Sequence, residues 1–450
     1  MTSKGSEAST PVVGAGVLDG IRVVELAQNA AVPYCGRLLA GMGADVVKVE
    51  PPGGDAMRHL GDLGSSEAKA YAAINPGKRS IVLDLGSDDA AEVLDGLFRW
   101  ADVVLVGVKG SDLDRFGIGW DRVRAVNPSV VHLTHTPFGP EGPDAEVGGY
   151  DVLVQALSGA GFLMNRSQDG VPLPTRPAVN DFGTGMASAL AVVAALWHRD
   201  RTGEGQRVDT SLLGTALGLG TAVIHRFDAD DDDLRAFRSE VGEIPTQGGG
   251  FDRQRELYED RMLQGQVAFR LYFRTYATSD GLVSVAGLST SLYRRFHEAT
   301  GITRPPSGAG ASDPGFLAVV DEAERCFASA TTGHWMGVLR AIGYPCSRYN
   351  RPDEAIQDPQ VVANDLVVGL DHPVFGHYVT TGMPLRMEAT PVAVRGPSPC
   401  LGAHTVEVLT EIGFDQRRIE ELSRAGAVSS GGRASVAPQP GEQRSTREGP

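Results

Sequence analysis

Short runs of mostly apolar, often β-branched residues recur along the first third of the chain. They are IRVVELA from Ile21, DVVKVE from Asp45, SIVLDL from Ser80, DVVLVGV from Asp102 and VVHLTH from Val130. Such runs fit strands buried on both faces. Amphipathic stretches such as PYCGRLLAGMG and SDDAAEVLDGLFRWA lie between them. Alternating strand and helix signals predict an α/β fold with a Rossmann-like, doubly wound parallel sheet. After Asp181 the run GMASALAVVAALWHR is apolar nearly all round, which predicts a buried helix. Gly203 is placed to end it in a left-handed cap, and a second helical run is predicted from Asp209 to Phe227. FRTYAT and LVSVAG flank Ser279-Asp280-Gly281 and read as a hairpin. A helix is predicted around His334–Ile342, and a last amphipathic helical segment over 404–424.

The pattern divides the chain into a flexible arm (1–16), a large α/β domain (17–227), a small α+β domain (228–345), a third segment (346–424) and a tail (425–450). The tail is Ser, Gly, Ala, Pro, Gln and Arg with almost no large apolar residues, so it is expected to stay disordered. The acidic run DADDDD at 228–233 is read as a loop.

The 450 residues carry a formal charge of −15, which argues against a nucleic-acid partner. No run approaches the ~20 apolar residues of a membrane span, and the first residues lack a secretory pattern. A cytoplasmic protein without a membrane partner is expected. Cys35, Cys326, Cys346 and Cys400 form no C-x-x-C pair, and no metal site is expected. GAGVLDG at 14–20 precedes the first strand, whereas a dinucleotide loop must follow one, so neither NAD nor FAD is expected.

Asp181, in NDFGTGM, opens the apolar helix. It reads either as an N-cap, whose oxygen bonds first-turn amides, or as a nucleophile. A helix N-terminus carries about half a positive charge, which favours an ionised carboxylate. Glycines at 183 and 185 admit a bulky group, and nearby amides could stabilise an oxyanion. Lys48, Lys78, Arg79, Lys109 and Arg115 are basic residues near predicted sheet ends. His132 and His135 do not have a useful metal spacing.

The ordered motifs resemble the family III CoA-transferases, the CaiB/BaiF group containing formyl-CoA:oxalate and carnitine CoA-transferases. The resemblance runs through LDGIRVVELAQNAAVPYCGRLLAGMGADVVKVEPPGGD, NPGKRSIVLDL, LDRFGIGWDRVRAVNPSVV, GGYDVLVQALSG, RTGEGQRVDTSLL, MPLRMEATP and LGAHTVEVLTEIGF. It implies that Asp181 is the catalytic nucleophile. It also implies that Ala30, Ala31, Asn75, Lys78, Arg115, Tyr150 and Asp151 line a coenzyme A site in residues 17–227, and that 346–424 return to that domain. Acyl-CoA and small carboxylic acids are the implied substrates, and an interlocked homodimer the implied assembly. The sequence departs from the family's E-N-F-R-P-G turn, which reads VGVKGSD at 106–112, and has Pro51-Pro52 where some members carry a basic pair. Gly248–Gly250 stand upstream of FRTYAT with a charged segment between. Two other functions fit the same fold. One is an α-methylacyl-CoA racemase, which needs two proton-transfer groups. Tyr150-Asp151 stands where racemases carry His-Asp, and tyrosine's ordinary pKa of about 10 suits that role poorly. The other is a non-catalytic CoA-binding subunit, against which an intact Asp181 argues.

Overall fold

The computed structural model describes residues 16–60, 69–225, 231–246, 248–263, 267–374 and 376–431. The predicted arm up to residue 15, positions 228–230 of the acidic run and the tail beyond 431 lie outside the described residues. Two compact units emerge. One comprises Met1–Ala160, Thr175–Ile224 and Asp365–Pro450, the other Gly161–Pro174 and His225–Asn364. The second unit thus takes in a segment before Asp181 and extends past residue 345.

The first unit is built on a seven-stranded sheet. Its strands β1 (Arg22–Ala27), β2 (Asp45–Glu50), β3 (Arg79–Leu83), β4 (Val103–Gly107) and β5 (Val131–Thr136) are the five predicted ones. They run parallel in the order β3-β2-β1-β4-β5. Alternate strand residues point to opposite faces. Val24, Val47, Ile81 and Val104 meet Leu94, Leu97 and Phe98 on one face. Val23, Val46, Val103 and Leu133 meet Cys35, Leu38, Leu39, Val192 and Leu196 on the other. The strand order reverses direction between β1 and β4. That switch opens a crevice at the carboxyl ends of the strands.

The acidic run read as a loop gives way at Asp231 to the helix Asp231–Gly242. Four further expectations change. Gln206–Ser211 is a strand parallel to β5 rather than part of a helix from Asp209. Ser211 then accepts from the Gly214 amide at 3.0 Å and starts the helix at Leu212. The 404–424 segment is two helices, Thr405–Glu411 and Gln416–Arg424, parted at Gly413 (φ 101°). The chain beyond 425 is ordered for a few residues. Val428–Ser429 pair antiparallel with β3, because Ala427 and Val428 bury their side chains in the core. Finally, the helix Val179–Thr202 is not buried all round. It ends at Gly203 in the left-handed region as expected. Val192, Ala195 and Leu196 face the sheet, but Met186, Leu190 (73% exposed) and Trp197 (64%) face outward. By length and composition this helix passes for a membrane span. Its inner face is packed on the sheet and on helix α1 (Ala31–Gly41).

The second unit holds the antiparallel strands Phe273–Ala277, Leu282–Ala286 and Cys346–Arg348. The hairpin across 278–281 is the predicted one. Its core stacks Tyr276 on Phe327 at 4.2 Å and packs Phe296, Phe316, Trp335 and Leu339 around them. The helix predicted at 334–342 spans Thr332–Ala341.

Helix α1 and the Val179–Thr202 helix touch backbone to side chain at Gly185. A Cβ there would lie 2.7 Å from the Ala31 carbonyl oxygen and 2.9 Å from the Tyr34 ring. Backbone cannot move aside cheaply, so Gly185→Ala is expected to destabilise the protein by about 1–3 kcal/mol despite the better helix propensity of alanine. Urea unfolding of the variant beside wild type measures this.

Candidate active site

Each strand that ends at the switch-point crevice delivers residues to one cavity. β1 runs out at Ala27 and the chain turns through Gln28 and Asn29, the latter at φ 67°. Asn is among the few side chains that adopt this left-handed conformation readily. Helix α1 begins at once, with Ala30 at its N-cap providing no side-chain hydrogen bond. The amides of Ala31 and Val32 lie in the uncapped first turn, where no intrahelical carbonyl accepts from them, and are left for water or a ligand. Gly107, Val108 and Lys109 arrive from β4, and His135 and Pro137 from β5. Gly148, Gly149, Tyr150, Asp181 and Leu212 complete a cavity of about 280 Å³. Gly149 must be glycine, because a Cβ there would lie 2.8 Å from Pro137 and 3.1 Å from the Phe138 ring.

Asp181 sits in the first turn of its helix but is not its cap. The N-cap position is Ala178, which makes no side-chain cap. Asp151 caps the helix from outside, its Oδ1 accepting from the Asn180 amide at 3.0 Å. Gln155 donates to the other oxygen of Asp151 and accepts from the Thr175 amide at 3.0 Å. Among the described residues no group donates to the Asp181 carboxylate. Burial first, and then the negative charge of Asp151, raise its pKa to about 6. The helix N-terminus therefore does not hold this carboxylate in the ordinary acidic range. It is half-ionised at about pH 6 and mostly ionised at neutrality. His135 also lines the cavity and is pushed down to about 4 by burial, so its imidazole is neutral. His132 faces into the sheet, where its Nε2 lies 2.9 Å from the Ile118 carbonyl.

The structure brings Ala30, Ala31, Tyr150 and Asp181 together on the cavity wall. It does not bring the other sequence-predicted residues there. Asn75 is fully buried, donating to the Tyr71 carbonyl at 3.0 Å and accepting from Lys78 at 2.8 Å. Lys78 is buried too, bonded to Glu25. Arg115 projects into solvent, 3.7 Å from Asp112 and over the Phe116 ring. Asp151 is buried under the helix start. Gln28, Asn29 and Gly107 carried no signal in the sequence, and His135 was weighed there only as a metal ligand. What marks them is position, since all lie at or just past the carboxyl end of a strand.

The chain matches the family model "CoA-transferase family III" over residues 18–405. It belongs to that family. A formyl-CoA:oxalate CoA-transferase from Streptomyces avermitilis is 31% identical over 423 residues, 91% of this chain and 99% of its own. A succinate–glutarate CoA-transferase from Agrobacterium fabrum is 33% identical over 413 residues, 88% of this chain and 95% of its own. A CaiB/BaiF family protein of known structure from Brucella suis superposes with a TM-score of 0.69 at 26% identity, covering 89% of this chain and all of its own. As a family III CoA-transferase the chain is an enzyme with CoA as substrate. In the described residues no group of His, Cys, Asp and Glu is arranged to hold a metal.

The raised pKa of Asp181 has a consequence for stability. The folded state binds this proton more tightly than the unfolded chain, whose carboxyl titrates near 3.8. Ionised Asp181 therefore lowers stability above about pH 6, and the penalty fades as pH falls through 6 toward 4. Allowing for partial exposure, the shift is worth on the order of 2 kcal/mol. Asp181→Asn is expected to be more stable than wild type at pH 7.5 and indistinguishable from it near pH 4. Urea titrations at both pH values check this.

Proposed function

We propose that this CoA-transferase moves CoA from an acyl-CoA donor to a small carboxylic acid through a covalent aspartyl-CoA on Asp181. The observation that carries the reading is the unpaired, part-buried Asp181 carboxyl on the wall of the same cavity as the uncapped N-terminus of helix α1. Burial without a hydrogen-bonding partner strips the carboxylate of solvation and leaves its lone pairs free to attack.

The cycle conserves every group. A carboxylate oxygen of Asp181 attacks the donor thioester carbonyl, and the C–S bond breaks. A mixed anhydride and CoA thiolate result. The thiolate attacks the aspartyl carbonyl, releasing the donor acid and leaving an aspartyl-CoA thioester. The acceptor carboxylate then attacks that thioester and expels the thiolate again. Thiolate attack on the acceptor side of the new anhydride gives the product acyl-CoA and restores Asp181. Each tetrahedral intermediate carries an oxyanion, for which the Ala31 and Val32 amides are the proposed donors. No proton has to be transferred in the cycle, which fits a cavity whose one histidine is neutral. Among the cavity-lining residues Lys109 is the cation, and it becomes the proposed phosphate contact in place of Lys78. Arg115, one short helix further on, remains exposed for the same task.

The named relatives act on different acids, including oxalate, glutarate and mesaconate. The acceptor class we propose is therefore small mono- and dicarboxylates. We also propose that two copies assemble through the outward stripe of Met186, Leu190 and Trp197, since an apolar face of that kind fits a partner surface better than water.

Asp181→Ala is expected to lower transfer by several orders of magnitude while leaving free-CoA binding unchanged. The assay is a screen of formyl-CoA and succinyl-CoA against oxalate, glutarate, mesaconate and succinate, read by mass spectrometry. Wild-type enzyme given donor alone and then hydroxylamine is expected to carry a hydroxamate on the Asp181 peptide. Rapid deuterium incorporation at the α-carbon of the acyl group, with Asp181 unmodified, would instead identify a racemase. Lys109→Ala is expected to weaken free-CoA binding about tenfold, the effect of one charge-assisted contact, measured by calorimetry at low salt.

A further inference from the structure

We infer that Glu25, Lys48 and Lys78 are positioning residues that aim the pocket wall from Ala27 to Pro33, and that Lys78 acts through this wall and not on CoA. The inference rests on the proposed chemistry of that pocket. Glu25 lies on β1, Lys48 on β2 and Lys78 just before β3, and all three side chains are fully buried. The Lys48 ammonium donates to Glu25 Oε1 at 3.0 Å and the Ala27 carbonyl at 2.6 Å, and lies 2.9 Å from Asp55 Oδ2. The Lys78 ammonium donates to Glu25 Oε2 at 2.8 Å, the Pro33 carbonyl at 2.7 Å and Asn75 Oδ1 at 2.8 Å. A lysine has three protons to donate. Lys78 uses all three and has none left for a phosphate, while Lys48 uses two and pairs its charge with Asp55.

The two carbonyls held in this way bracket residues 28–32, which form one wall of the cavity. Asp55 adds a third tie, accepting from the Asn29 amide at 3.2 Å. The space is filled to the limit on the α1 side, since a Cβ on Gly36 would lie 2.0 Å from Glu25 Oε2. A buried ion set of this kind adds little stability over well-packed apolar residues of equal size. What it adds is direction: one carbonyl before and one after residues 28–32 are held from the sheet side, which fixes the segment that carries the Ala31 and Val32 amides.

The groups facing the Lys78 ammonium are Glu25 from β1, Lys48 from β2, Asp55 from the loop after β2, Cys35 from α1 and Asn75 from its own turn. Burial, and then the positive charge of Lys48, outweigh Glu25 and lower the Lys78 pKa to about 8. Loss of that proton leaves two N–H groups for three acceptors, so the tie that the ammonium makes between Glu25, Asn75 and the Pro33 carbonyl is weakened. In wild-type enzyme kcat is therefore expected to fall as pH rises through about 8, while CoA affinity stays level.

The test separates kcat from binding in Lys78→Met. The probes are free CoA by calorimetry and, for turnover, the donor–acceptor pair that the screen identifies. A positioning role predicts a CoA Kd within about threefold of wild type and a kcat lowered at least tenfold, with the alkaline fall in kcat gone. A Kd weakened tenfold or more at unchanged kcat would make Lys78 a phosphate ligand and overturn the inference. So would unchanged values of both. Lys78→Met leaves Glu25 with Lys48 as its one ammonium partner. If it does not fold, the paired variant Glu25→Gln/Lys78→Met is read in the same way, and the wild-type pH profile serves as an independent measurement. A flat wild-type kcat from pH 7 to 9.5 counts against the inference. Failure of the aspartyl chemistry is seen separately, as absence of the hydroxamate in wild-type enzyme, whatever Lys78→Met does.

Discussion

The buried Glu25 carboxylate, held between two lysine ammoniums, is the constraint on which the pocket depends. It sits on the central strand of the sheet, where the strand order reverses and helix α1 departs. Isolated, a charge there would be prohibitively costly. Each oxygen instead accepts from a different lysine, and each lysine spends another proton on a carbonyl of the pocket wall. A second set lies beside it. Glu50 is clasped by Arg58 through two hydrogen bonds of 2.8 Å, with Tyr71 and Ser80 also donating, and its pKa is pulled down to about 2. Burial alone would raise that pKa, so the donors outweigh it. These sets tie β1, β2 and the turn before β3 into one frame.

Asp181 shows the opposite electrostatic design within the same unit. Glu25 and Glu50 are buried and saturated with donors, whereas Asp181 is part-buried and left without one. Burial and Asp151 then act unopposed on its pKa. A carboxylate with its lone pairs occupied cannot attack a thioester, and one fully solvated would have to shed water first. The position of Asp181 avoids both. Asp151 makes this arrangement possible by taking over the capping of the helix, which frees Asp181 from that role while keeping it in the first turn.

The sheet was legible because strands buried on both faces are mostly apolar and β-branched, and β1 to β5 are, with Glu25, Lys48 and Glu50 as buried exceptions. The ordered motifs pointed to Asp181, and the structure places it on the cavity wall. Lys78 was legible as an important residue but not in its task. The sequence N-x-x-K reads the same whether the ammonium meets a phosphate or a glutamate on a strand far back in the chain. The strand Gln206–Ser211 lies at the sheet edge with alternate residues half-buried, and that weaker pattern was absorbed into the helix that follows. The apolar helix after Asp181 was read as buried because a hydrophobic surface has the same signature whether it meets its own chain or another.

That last ambiguity bears on function. The Val179–Thr202 helix begins at Asp181, is pressed on α1 at Gly185, and carries Leu190 and Trp197 on its open side. A rigid rod links all three features. Any surface that covers Leu190 and Trp197 also restrains the helix whose first turn holds Asp181, the proposed nucleophile. The restraint passes through Gly185 to Ala31, and from there to the wall that Lys48 and Lys78 hold from the sheet side. The pocket is thus fixed from two directions, by buried charge on one side and by helix packing on the other. The inner face of the helix supplies the packing, while its outer face, with Leu190 and Trp197, lies open to solvent and is the face proposed for a second copy.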